Sequence, residues 1–155
     1  MRACREEKAM QAQKINEVEI IGRPETSAGK AVRLAMASVS AGFPSPAEDY
    51  IEQALDLNDL LVTNPPATFF VKVTGTSMVE AGIHPDDILA VDRSREARQG
   101  DIVIAIVNGE LTVKELAFSP IRLIPRNSAY PPIVLREHDD FEIIGKVTGL
   151  VRRFK

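Results

Sequence analysis

Between residues 68 and 151 short apolar runs alternate with turn residues: 68–73, 87–91, 102–107, 111–116, 121–124, 133–135 and 141–151. Runs of this length, rich in Val, Ile and Phe and bounded by Gly, Pro, Asn and Asp, predict β-strands. Asn108-Gly109 is the sharpest local signal, because both residues tolerate the positive φ of a type I′ turn and so predict a hairpin joining 102–107 to 111–116. Upstream, Ser45-Pro46-Ala47-Glu48 offers an N-cap, a proline at the first helical position and a glutamate placed for a capping box, predicting a helix over 47–55. Residues 2–19 are charge-rich with helical propensity, and 23–29 contain Pro, Gly and Ser.

These patterns divide the chain into an arm, residues 1–41, an extended segment with short helices, 42–67, and a β-rich domain, 68–155. The first boundary falls at Ala41-Gly42-Phe43-Pro44-Ser45-Pro46, where two prolines hold the backbone extended. Charge separates the parts: the arm holds 7 basic and 5 acidic residues, the remainder 12 and 17. A net charge of -3 gives no general attraction to phosphate backbones, so no direct specific DNA binding is expected. One cysteine, Cys4, makes no internal disulfide, and His84 and His138 fit no zinc spacing, so neither a metal nor a cofactor is expected. No window reaches the ~18–20 apolar residues that span a bilayer, and the expectation is a cytoplasmic protein without a membrane partner.

Candidate chemistry rests on two places. Gly75-Thr76-Ser77-Met78 follows a predicted strand, where a turn exposes both the Ser77 hydroxyl and nearby backbone N–H groups. Lys114 lies on the second strand of the hairpin, sharing a face with Thr112 and Leu116 while Leu111 and Val113 face the other way. An ordinary turn serine and a solvated strand lysine are the commoner fates of such residues. A lysine held among apolar atoms, however, loses solvation of its charged form and becomes a base near neutral pH. With no histidine near either motif, a Ser/Lys dyad is the one catalytic arrangement the composition permits.

Taken jointly, residues 42–50 (Gly-Phe-Pro-Ser-Pro-Ala-Glu-Asp-Tyr), 73–78 (Val-Thr-Gly-Thr-Ser-Met), 100–103 (Gly-Asp-Ile-Val) and 110–114 (Glu-Leu-Thr-Val-Lys) resemble the LexA/UmuD-like self-cleaving Ser/Lys peptidases, in particular their SOS-mutagenesis branch. The spacings agree, with 35 residues from Gly42 to Ser77 and 37 from Ser77 to Lys114. The resemblance covers residues 40–155 and leaves 1–38 unmatched. It implies a mainly β fold, a compact antiparallel body of the LexA-like peptidase type with a mobile, partly helical N-terminal arm. It also implies Ser77 as nucleophile, Lys114 as general base and the chain's own Ala41-Gly42 bond as substrate. The dipeptide alone selects nothing, since Ala28-Gly29 and Ala81-Gly82 are the same pair.

The implied partners are a second copy in a homodimer, a RecA filament on single-stranded DNA that stimulates cleavage, and a UmuC-type translesion polymerase subunit that binds the cleaved form. Two rivals stand beside this reading. A LexA-type repressor needs a helix-turn-helix ahead of the cleavage site, and Pro24 and Gly29 interrupt the 41 residues there. A binding module with a vestigial dyad would share every motif and cut nothing.

Overall fold

The computed structural model describes residues 17–24, 32–35 and 52–155. Among them, eight strands form one antiparallel sheet: β1 (Val18–Gly22), β4 (Thr68–Val73), β5 (Ile88–Asp92), β6 (Ile102–Val107), β7 (Glu110–Ala117), β8 (Arg122–Ile124), β9 (Ile133–Val134) and β10 (Phe141–Val151). Their order in space is β1-β4-β5-β10-β6-β7-β8-β9. A separate antiparallel pair joins β2 (Val32–Ala35) to β3 (Glu52–Leu55).

The mainly β architecture expected from the alternating runs is present, and every run from residue 68 onward is a strand whose ends move by at most one residue. Asn108 and Gly109 take φ of 50° and 82° in the turn between β6 and β7, and Val107 faces Glu110 across it. The last strand, β10, lies inside the sheet between β5 and β6. Its register slips between Ile143 and Gly145 and again between Val147 and Gly149, and each irregularity ends on a glycine. Such slips bend a long strand, and here the sheet coils until Glu17, just before β1, donates its backbone N–H to the Leu111 carbonyl of β7 at 3.4 Å.

Two apolar clusters fill the body. The larger joins Val18, Phe69, Val71, Val73, Met78, Ile83, Leu89, Val91, Ile104 and Val113, and the smaller joins Val103, Ala105, Leu116 and Leu123. β6 and β7 serve both clusters, because successive side chains alternate: Ile104 and Val113 enter the first, Val103 and Leu116 the second. Beyond β10, Arg152 forks onto Asp87, with Nε to Oδ1 and Nη2 to Oδ2 both at 2.6 Å, and it also donates to the Gly82 carbonyl. The guanidinium holds the buried Asp87 carboxyl below the usual carboxylate range, against the opposing effect of burial.

Two expectations change. Of the helix expected over 47–55, the described part, Glu52–Leu55, is strand β3, because pairing with Val32–Ala35 satisfies its backbone. The helix is instead α1 (Leu57–Leu61), started by Asp56, whose Oδ1 accepts the Asn58 N–H at 2.8 Å. The arm is also not wholly separate from the body: Val18–Gly22, whose first two residues close the 2–19 stretch read as having helical propensity, is a sheet strand pairing with β4, and Val18 is buried among the core residues.

Gly145 is buried at the first bend of β10, where an added Cβ would lie 2.7 Å from Val91 Cγ1 and 2.9 Å from the Asp92 carbonyl oxygen. Gly145→Ala should therefore cost about 1–3 kcal/mol of unfolding free energy by overpacking. Urea unfolding in a Ser77→Ala background measures this, and an unchanged midpoint would contradict the packing described.

Candidate active site

Ser77 sits on the turn that leaves β4 and enters a short 3-10 helix, Val79–Ala81. Met78 anchors the turn by burying its side chain in the larger cluster, and its Sδ accepts the Arg126 N–H at 3.3 Å. From the other side, Asn127 Nδ2 donates to the Thr76 carbonyl at 2.9 Å, and the Tyr130 and Thr76 hydroxyls share a hydrogen bond of 2.8 Å. The serine is thus held by packing below and polar ties above, with a relative exposure of 1%.

Lys114 reaches this turn from β7, where it faces Val103 of β6 across the sheet. It is 3% exposed, with Val113 and Leu116 as buried strand neighbours. Its Nζ lies 2.8 Å from Ser77 Oγ, 2.7 Å from Thr112 Oγ1 and 3.1 Å from the Val113 carbonyl oxygen. A fourth contact is an ion pair with Glu17 Oε2, and the same oxygen accepts the Thr112 hydroxyl at 2.6 Å. Burial pulls the Lys114 ammonium below its usual 10.5, while the Glu17 charge and hydrogen bond oppose that fall.

Glu17 enters on backbone contacts as well. Its carbonyl accepts from Thr74 N at 2.7 Å and from Gly75 N at 3.3 Å. A Cβ at residue 75 would stand 2.9 Å from Glu17 Cγ, so the first glycine of the Ser77 motif is what lets the two segments lie together.

The structure therefore brings Ser77 and Lys114 into hydrogen-bond contact across 37 residues. Ala41 and Gly42 lie between β2 and β3, outside the described residues. Thr112 was visible in the sequence as a face-mate of Lys114, but its hydrogen bonds were not. Glu17 carried no signal at all, being 97 residues from Lys114 and delivered by strand pairing. Among the described residues no group of three or more His, Cys, Asp and Glu is placed to hold a metal ion, and no helix is long and apolar enough to cross a membrane.

A β body with a turn serine hydrogen-bonded to a buried strand lysine defines a serine-peptidase type of fold. The chain belongs to the Peptidase S24-like family, whose model matches residues 34–148 and so includes both Ser77 and Lys114. It is 48% identical to the protein SamA of Salmonella typhimurium over 114 residues, 73% of this chain and 79% of that protein. It is 44% identical to the protein MucA of Escherichia coli over 112 residues, covering 71% and 77%. A LexA repressor from Verminephrobacter eiseniae is 41% identical over 116 residues, which are 74% of this chain and 51% of the repressor.

Burial that disfavours the Lys114 cation makes stability depend on pH in a definite direction. The lysine keeps its proton in the unfolded chain up to 10.5 but loses it sooner in the folded one, so the unfolded state binds more protons between the two values. Folded protein should gain stability over that alkaline window relative to a Lys114→Met variant, both carrying Ser77→Ala. Denaturant unfolding from pH 7 to 10.5 measures the difference, and a constant difference would contradict a lowered lysine.

Proposed function

We propose that this protein is a self-cleaving serine endopeptidase of the SOS response, with Ser77 as nucleophile, Lys114 as general base and its own Ala41-Gly42 bond as substrate. The observation that carries the reading is the 2.8 Å contact between Lys114 Nζ and Ser77 Oγ, made where both groups are buried. A serine is a weak nucleophile until a base within hydrogen-bond reach takes its proton, and Lys114 is the group in that position.

In this mechanism neutral Lys114 removes the Ser77 proton and the alkoxide attacks the Ala41 carbonyl. Backbone N–H groups of the 75–78 turn stabilise the oxyanion, Met78 burial and the Asn127 tie holding the turn rigid for that purpose. The Lys114 ammonium then protonates the Gly42 nitrogen as it leaves, and water, activated by the same lysine, hydrolyses the acyl-enzyme. Protonation state sets the rate. An unperturbed lysine is only about 0.1% neutral near pH 7.4, so full activation of the base corresponds to ~3 pKa units, or about 4 kcal/mol. Burial supplies part of that, and docking on a RecA filament supplies the remainder by seating the cleavage segment over the pair.

Cleavage would leave residues 42–155 as the form that pairs as a homodimer and joins a UmuC-type polymerase subunit for translesion synthesis. Support for this setting comes from the similarity to SamA, MucA and a LexA repressor, together with the acidic balance of residues 42–155, which leaves DNA contact to the partners.

Incubating the full chain with RecA, ATP and single-stranded DNA should give a product whose N-terminus is Gly42, read by N-terminal sequencing. Ser77→Ala and Lys114→Arg should each give no product, the arginine keeping its charge but never serving as a neutral base. Product from the arginine variant, or a different terminus, would overturn the assignment.

Gly42→Glu should also block cleavage, because a bulky side chain keeps the scissile backbone away from the pair. Mixing Gly42→Glu with Ser77→Ala tests the geometry: one supplies an intact pair and the other an intact bond. Product in the mixture means cutting between chains, and its absence means cutting within one chain.

A further inference from the structure

We infer that Glu17 and the strand it opens are an intramolecular inhibitor of the Ser77–Lys114 pair, lying against the Ser77 turn and holding the lysine as an ammonium ion. The inference rests on reading those two residues as a dyad, and it adds a regulatory ligand that the dyad itself does not predict.

Protons and lone pairs at one nitrogen decide which state of Lys114 the cluster favours. Lys114 Nζ has four oxygen neighbours: Ser77 Oγ, Thr112 Oγ1, the Val113 carbonyl and Glu17 Oε2. A neutral amine has two N–H bonds and one lone pair. Acting as base, it turns the lone pair to the Ser77 hydroxyl and can donate its two protons to Thr112 and Val113. No N–H is then left for Glu17, whose carboxylate keeps the Thr112 hydroxyl as a donor but would face a buried nitrogen with no proton to offer it. An ammonium ion has three protons to donate and satisfies the carboxylate directly. With Glu17 in place the cluster suits the cation, and with Glu17 gone the three remaining partners suit the base. Glu17 is the charged group acting on Lys114 among the described residues; the other three contacts are a serine, a threonine and a backbone carbonyl.

The backbone carries the same message. Residue 17 bridges two elements of the site, its carbonyl on Thr74 and Gly75 N–H and its own N–H toward the Leu111 carbonyl. These groups flank Ser77 and Lys114, where an extended segment would have to lie for its carbonyl to reach Ser77 Oγ. Val18 pins the strand by burial at 2% exposure, opposite Val73 in the register of β1 and β4. The cleavage segment must therefore displace Glu17, and since residue 17 precedes Ala41, the cut also severs this inhibitor from the body.

The test uses full-length chains without RecA: wild type, Glu17→Gln, Glu17→Ala, Ser77→Ala and, as a control on the same strand, Glu19→Gln. Self-cleavage is followed by mass spectrometry between pH 6.5 and 10.5, with thermal unfolding recorded for each protein. Glu17→Gln keeps the shape of the side chain and removes its charge. It should raise the rate near pH 7.5 at least ~10-fold and move the midpoint of the pH–rate profile down by ~1 unit, one unit of lysine pKa being a tenfold change in neutral fraction. Glu17→Ala should do the same or more, and Glu19→Gln should match wild type. If wild type cuts, Ser77→Ala does not, and a folded Glu17 variant shows wild-type rate and midpoint or slower cleavage, the inhibitor is overturned while the dyad stands. If no protein cuts at any pH, dyad and inhibitor fall together.

Discussion

A primary amine buried in a β-sheet protein must have its protons and lone pair matched by its surroundings, and the rest of this structure is arranged around that requirement. Lys114 sits at 3% exposure on a strand that contributes to both apolar clusters, so water cannot supply missing partners. Four oxygens supply them instead, from β7, from the Ser77 turn and from the residue ahead of β1. Among the described residues no buried side-chain nitrogen or oxygen lacks a partner. Which partners are present decides whether the nitrogen carries its proton, and the proposed role of Ser77 as nucleophile requires it without one.

The coiling of the sheet is what makes this matching possible. Strand β10 enters between β5 and β6 and bends at Gly145 and Gly149. The curved sheet lets the chain ahead of β1, while pairing with β4, also touch β7. A flat sheet in the same order would leave four strands between β1 and β7, with the Ser77 turn and Lys114 on separate regions. The two faces of β6 and β7 are both occupied, which explains why the alternation around Lys114 shows no plainly polar side: Val113 serves one cluster and Leu116 the other.

Strand positions were legible because they depend on near-neighbour chemistry. The β6–β7 hairpin needs only Asn108-Gly109 and two apolar runs, and it formed as the residues dictate. The pairing of Ser77 with Lys114 was legible through joint motifs and spacing, not through either residue alone. Strand β3 was misread as helix because the Ser45-Pro46-Ala47-Glu48 signal says where a helix could begin but not that Glu52–Leu55 has a strand partner at Val32–Ala35. Glu17 was invisible for a deeper reason. Its role is created by a contact 97 residues away in sequence, and a glutamate within a charge-rich stretch looks like any solvated side chain.

The protonation of one nitrogen is the quantity everything turns on, and it can be observed directly. Lysine labelled at Cε, in the full chain carrying Ser77→Ala so that it stays intact, reports its own titration by NMR. A resonance assigned to Lys114 by its loss in Lys114→Met should titrate below the usual 10.5, and lower again when Glu17→Gln is added. A Lys114 resonance titrating at or above 10.5 in both proteins would contradict the account, leaving a buried ion pair and no base for Ser77.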